Sequence, residues 1–200
     1  MYPTLLDTVT TRTDARFHAA EQAGAVLFVT LLTAIAAQVS IPLPFTPVPF
    51  TFQPMVVLLG AAALGPRLGM ASQILYLALG FAGLPVFAFS PILPQGAARL
   101  LGPTGGYLMA YPFAAFAAGW LAERGFDRRY VTAVVAMICG LAVVFAGGVL
   151  WLTIASKPSI GLAGALAAGF VPFIIPDLLK LLAAAAVMPA LWRITGSASR

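Results

Sequence analysis

Charge is what this chain has least of. Only 8% of its 200 residues are Asp, Glu, Lys or Arg, 61% are hydrophobic, and the mean hydropathy is +0.98. Soluble domains carry about 25% charged residues, so a water-soluble fold is excluded and an all-α integral membrane protein is expected. Histidine and cysteine are almost absent. His18 and Cys139 occur once each, too few for the usual zinc sites or for a disulfide within the chain. Cys139 lies in the apolar run 131–152 and reads as a small hydrophobe; His18 sits in a polar N-terminal segment, where a serine-hydrolase triad could not use it. The lysines are only Lys157 and Lys180, preceded by Ser156 and Leu179, so there is no Gly-x-x-x-x-Gly-Lys phosphate loop. No catalytic residue, metal or cofactor is expected. Nor does the net charge of +5 indicate a nucleic-acid surface, because the basic residues flank apolar spans.

Six spans can be drawn, each near the ~20 residues that cross a bilayer as helix: 22–39, 53–64, a third that follows a turn at Gly65-Pro-Arg-Leu-Gly69 and ends near Leu84, 104–121, 131–152 and 162–191. Five or seven crossings are the alternatives, the short second span being the weakest. Ala34-Ile35-Ala36 resembles a signal-peptide cleavage site, but the polar segment before it carries three acids (Asp7, Asp14 and Glu21), so a retained first helix is expected. The organisation expected is a polar cytoplasmic segment 1–21, one six-helix bundle 22–192 and a cytoplasmic tail 193–200. Counting basic residues sets the orientation. With the N-terminus inside, Arg12, Arg16, Arg67, Arg124, Arg128, Arg129, Arg193 and Arg200 are inside, while Arg99 and Lys157 are outside. Eight against two favours cytoplasmic termini. The proline-rich linker 41–50 and the irregular segment 85–103 then share the outer face. A lid over a pocket is expected from them, since Phe45, Phe50, Phe52, Phe87 and Phe89 are ill-suited to water.

One pair of charges stands inside an apolar span. Asp177 and Lys180 lie in the run 162–191 at i, i+3, on one helical face, just after Pro172 and Pro176, where the last helix should be kinked or broken. Ionisable groups at membrane depth are costly and mark binding sites by default. The plainer role is mutual neutralisation, but stability alone is a weak reason to keep a buried pair.

Several segments together resemble the BioY family of biotin-specific S components, the substrate-capture subunits of energy-coupling factor transporters. They are Pro47-Val-Pro-Phe-Thr-Phe-Gln53, Leu64-Gly-Pro-Arg-Leu-Gly69, Gly83-Leu-Pro-Val-Phe87, Leu101-Gly-Pro-Thr-Gly-Gly-Tyr107 and Pro176-Asp-Leu-Leu-Lys180. The resemblance implies a six-helix subunit in a prokaryotic cytoplasmic membrane that captures biotin from outside, with a transmembrane coupling subunit and paired ATPases as partners. It also implies that Asp177 and Lys180 hold the ureido ring. An ionised aspartate only accepts hydrogen bonds and an ammonium only donates them, which suits ring N–H groups and the ring carbonyl. Gln95 is the nearest match to a further polar residue of the family, at an offset of about one position. Gln53 and Tyr107 belong to matched segments, with helix capping and bundle hydrogen bonding as their plainer roles. Arg99 or Lys157 could attract the valerate carboxylate, or be ordinary loop charges. Phe87, Phe89, Tyr107 and Tyr111 are candidate walls. Gly105 and Gly106 either admit backbone to the ligand or simply begin a helix.

Thr30, Thr33, Ala34 and Ala37 form a stripe of small side chains on the first span. In the resembled family such a face docks the coupling subunit; packing within the chain's own bundle is the alternative. Competing functions are capture of another vitamin, an intramembrane enzyme using Asp177, and a structural subunit that binds nothing. A homo-oligomer is also open.

Overall fold

The structure, a computed structural model, describes residues 2–9, 15–90, 93–156 and 158–195. Arg12, Lys157 and Arg200, together with the side chain of Arg16, lie outside the described residues, so these basic positions and the suggested carboxylate role of Lys157 have no structural counterpart.

The fold is helical. In chain order it runs α1 (Leu5–Val9), α2 (Ala15–Gln38), a two-stranded hairpin of β1 (Ser40–Ile41) and β2 (Phe50–Thr51), then α3 (Gln53–Phe81), α4 (Ala97–Leu101), α5 (Gly105–Ala122) and α6 (Tyr130–Ala155). The last apolar run is divided into α7 (Gly161–Gly169), a 3-10 turn (Val171–Phe173), α8 (Ile174–Ala185) and α9 (Val187–Ile194). Among the described residues, four helical runs are long and apolar enough to cross a bilayer: Phe17–Gln38, Gln53–Phe81, Tyr130–Ala155 and Gly161–Ile194.

α3 consists of two helical arms that follow one another without a gap but differ in direction. Gly65 takes φ 81° and ψ 177°, a left-handed φ that glycine alone adopts without strain, and Pro66 restarts the helix where a missing N–H does no harm. A straight helix would separate residues 53 and 76 by about 35 Å. Instead Gln53 Nε2 donates to Tyr76 Oη at 2.6 Å, and a Cβ on Gly69 would meet the Ala61 backbone. The chain therefore doubles back on itself at a single residue, tighter than the expected turn over residues 65–69.

Lipid tails are as apolar as leucine, so close packing and buried hydrogen bonds, more than water exclusion, hold these helices together. Gly119 of α5 packs so tightly on the reversal that a Cβ there would stand 2.6 Å from both the Gly65 carbonyl carbon and the Pro66 nitrogen. The core runs between α3, α5, α6 and α8 through Tyr76, Tyr107, Tyr111, Phe145, Phe173 and Leu181. Val131, Leu150, Ile154 and Leu179 point outward, as lipid-facing residues should. Cys139 is also exposed.

The small-residue stripe on α2 faces inward, as packing within the chain's own bundle, the alternative to docking, would have it. Thr30, Thr33 and Ala37 are fully buried, and Ala34 is partly covered. Thr30 Oγ1 donates to the Ser72 carbonyl at 2.9 Å, and Gln73 Nε2 reaches Thr33 Oγ1 at 3.4 Å. These groups tie α2 to the second arm of α3; the outward face of α2 carries Leu27, Phe28, Leu31 and Ile35. α2 also begins at Ala15 rather than near Gln22. Before it, Tyr2 N donates to the Glu123 carbonyl at 2.8 Å, and the Arg128 guanidinium lies over the rings of both Tyr2 and Trp192. The N-terminal segment is thus docked across the end of the bundle that holds the α5–α6 turn and α9.

At the opposite end the two proline-rich segments meet. Gln38 Nε2 reaches the Pro85 and Phe87 carbonyls, and Ser40 Oγ donates to Phe89 O at 3.0 Å. Of the five phenylalanines expected to shun water, Phe87 is fully buried, but Phe45 and Phe89 are exposed. Only part of the apolar surface of these segments is turned inward.

Candidate functional site

The break in the last apolar run creates a helix N-terminus inside the bundle. α7 ends at Gly169, Pro172 falls in the 3-10 turn, and Pro176 sits in the first turn of α8, where no intrahelical N–H is required. Asp177 occupies the same turn, so the positive end of the helix dipole favours its negative charge. One turn on, Lys180 Nζ stands 2.5 Å from Asp177 Oδ1. The ammonium also donates to the Thr51 carbonyl at 2.6 Å and lies 3.9 Å from the centre of the Phe50 ring. Three N–H groups are available to a lysine; two are engaged, leaving one. Among the described residues no protein group bonds Asp177 Oδ2, so the carboxylate has an oxygen to offer as well.

Both side chains line a cavity with about 600 Å³ of unfilled space, open solvent included. The hairpin contributes Val48, Pro49 and Thr51, and the start of α3 contributes Gln53. Phe87 and Ala88 come from the second proline-rich segment, Arg99 from α4, and Thr104, Tyr107 and Tyr111 from α5 and its cap. Val144, Phe145 and Phe173 close the apolar side. An apolar chamber with a few convergent polar groups is the usual form of a ligand site.

The expected site residues divide clearly. Asp177, Lys180, Arg99, Tyr107 and Gln53 all line this cavity. Gln95 does not: its Nε2 bonds the Phe87 carbonyl at 3.2 Å, holding the segment rather than facing the chamber. Phe89 is likewise turned away, while Phe87 and Tyr111 form walls as expected. Tyr107 gives its ring to the wall and its hydroxyl to the Gly169 carbonyl at 2.8 Å, which pins the end of α7. Gln53 Nε2 is committed to Tyr76. Gly105 and Gly106 are needed for packing, since Cβ atoms there would collide with the Leu100 carbonyl and with Trp151. Arg99 is fully buried; a guanidinium NH2 bonds the Ala88 carbonyl, while Nε has no partner among the described residues.

Sequence reasoning did not pick out Thr51, Val48, Thr104, Phe145 or Phe173. Thr51 and Thr104 lay within quoted segments, so a signal existed; Phe145 is one apolar residue among many in α6.

A model of the BioY family matches residues 9–197. The chain belongs to the BioY family. A probable biotin transporter BioY from Pyrococcus horikoshii is 41% identical over 172 residues, 86% of this chain and 94% of that one. A biotin transporter BioY from Thermotoga maritima is 39% identical, covering 79% and 88%. In three dimensions the fold is similar to the crystal structure of the S-component for biotin from an ECF-type ABC transporter, with a TM-score of 0.78 at 27% identity over 90% of this chain and 95% of that one. As a BioY-family chain with several apolar helices, this is a membrane protein. Its shared segments have a spatial logic. Those around residues 47–53, 83–87, 101–107 and 176–180 each place at least one side chain in the cavity wall. The Gly65 segment instead makes the reversal at the far end of α3.

Proposed function

We propose that this chain captures biotin and serves in its uptake as the S component of an energy-coupling factor transporter, not as an enzyme. The observation that carries the reading is the Asp177–Lys180 pair, set at a helix start within the bundle and facing a largely apolar chamber. Asp177 accepts a ureido N–H, and the remaining N–H of Lys180 donates to the ureido oxygen. Phe87, Tyr107, Tyr111 and Phe145 cover the bicyclic ring and the valeryl chain, and Arg99 attracts the carboxylate. Each charge-assisted bond contributes roughly 1.5–3 kcal/mol. Gln95 acts indirectly, through the Phe87 segment.

The chain crosses the membrane six times: α2, the two arms of α3, α5, α6 and the broken run α7–α9. The site opens outward and both termini lie in the cytoplasm. Arg67, Arg124, Arg128, Arg129 and Arg193 near the reversal, the α5–α6 turn and α9 support that orientation. Partners are a transmembrane coupling subunit and a pair of ATPases, which supply the ATP hydrolysis for which this chain has no phosphate loop. They dock elsewhere than on the stripe Thr30, Thr33 and Ala37.

The test is binding to detergent-purified protein. Labelled biotin should bind saturably, be displaced by unlabelled biotin but not by thiamine or riboflavin, and be recovered chemically unchanged. Displacement by thiamine or riboflavin alone would move the protein to another vitamin, and turnover of the ligand would make it an enzyme.

A further inference from the structure

The end of the cavity formed by α4 and α5 carries polar groups that the fold itself does not use. Thr104 is the N-cap residue of α5, where a threonine hydroxyl ordinarily accepts a hydrogen bond from the second or third N–H of the helix. Here it makes no such bond. Its hydroxyl is buried, has no partner among the described residues, and belongs to a side chain only 6% exposed in the cavity wall. Arg99, 1% exposed and lining the same cavity, likewise keeps Nε unpaired. Leaving buried polar groups unmatched costs about 1–3 kcal/mol each, so a ligand group that pairs with both is favoured at this end of the cavity. α5 has 18 residues, long enough for a positive N-terminal dipole end. Gly105 N bonds the Gly102 carbonyl, but the next N–H groups, at Gly106 and Tyr107, fall where a helix has no acceptor of its own, and Tyr107 lines the cavity.

A hydroxyl donor, a guanidinium and a helix N-terminus together select a small anion. The Asp177–Lys180 pair is neutral overall, so the unbalanced positive charge of the chamber lies at the Arg99 end, and the two ends of a ligand are sorted by charge. Resting on the assignment of biotin to this cavity, we infer that Thr104 and the α5 N-terminus form the specificity-determining subsite for the ligand's carboxylate, with the Thr104 hydroxyl donating to one oxygen. The site therefore takes the free acid and discriminates against esters and amides of it, including biotin joined to a lysine side chain.

Biotin and biotin methyl ester, competed against labelled biotin on purified protein, test this. Wild type should prefer the acid by about tenfold or more. Thr104→Val, which keeps the shape and removes the hydroxyl, should weaken acid binding about five- to tenfold and leave ester binding nearly unchanged. Thr104→Ser should restore the wild-type preference. Equal loss of acid and ester in Thr104→Val would mean a structural role and overturn the inference. So would a wild type that binds both ligands alike, a result that needs no variant to fold and leaves biotin capture itself intact. Failure of wild type to bind biotin would instead remove the functional reading, and this subsite with it.

Discussion

Replacing Asp177 by alanine removes three things at once, and their sizes can be set from the geometry. The first is the charge-assisted bond to the ligand N–H, about 1.5–3 kcal/mol. The second is the 2.5 Å contact that balances Lys180. Loss of one partner of a buried pair costs 3–5 kcal/mol when the other is stranded, but Lys180 is not stranded completely. The Thr51 carbonyl and the face of Phe50 remain, so only a fraction of that penalty should appear. The third is the positioning of the ammonium, which without its counter-ion can swing toward Thr51 and away from the ureido oxygen. Together these predict a loss of about 2–4 kcal/mol in biotin binding, roughly 30- to 1,000-fold. Asp177→Asn should lose less, because it keeps the shape and one acceptor. Equilibrium binding of labelled biotin to purified variants, alongside thermal unfolding to show that the bundle persists, measures both. An Asp177→Ala variant that folds and binds biotin within about twofold of wild type would refute the reasoning.

Three other predictions concern the frame around the site. Ala37→Trp forces a large ring into the buried α2–α3 contact and should destabilise by about 1–3 kcal/mol or more, lowering Tm and biotin binding together; Leu31→Trp, on the exposed face, should do neither. Gly65→Ala puts a side chain at φ 81° against Thr4 and Glu123, and should lower Tm through about 1–2 kcal/mol of backbone strain. Burial raises the Asp127 carboxyl above its usual range, the Trp192 N–H and nearby Arg128 opposing the shift. The folded state thus favours the protonated form, and its stability falls as pH rises from the ordinary carboxyl value, about 4, through the raised one. Asp127→Asn should flatten that fall in a Tm-versus-pH series; an unchanged slope would mean another group sets it.

The legible parts of this molecule were those where a residue contradicts its surroundings. Asp177 and Lys180 stand out because charge in an apolar run is costly, and two prolines stand just before them. Gly65-Pro66 marked the reversal for a similar reason, although not its compression to one residue. What stayed hidden depends on which neighbour a surface meets. The spacing of Thr30, Thr33 and Ala37 announces close approach without saying to what, and the answer is the second arm of α3. The interruption at Ala186 between α8 and α9 did have a signal, Pro189, which has no N–H to bond the Ala185 carbonyl and crowds it, but in a run already divided by two other prolines it does not stand out. Thr104 sat inside a quoted segment, but only the lack of a capping bond sets it apart from an ordinary N-cap.

Lys180 serves two masters. Its nitrogen holds the strand that roofs the chamber while reserving a donor for whatever lies beneath. On the proposed reading, the atom that contacts a guest is also the one that holds the Thr51 carbonyl, so a substitution at this position disturbs both. Arginine, with its wider fork, would have to abandon either the strand or the guest. A lineage exchanging one vitamin for another would find this the hardest residue to replace.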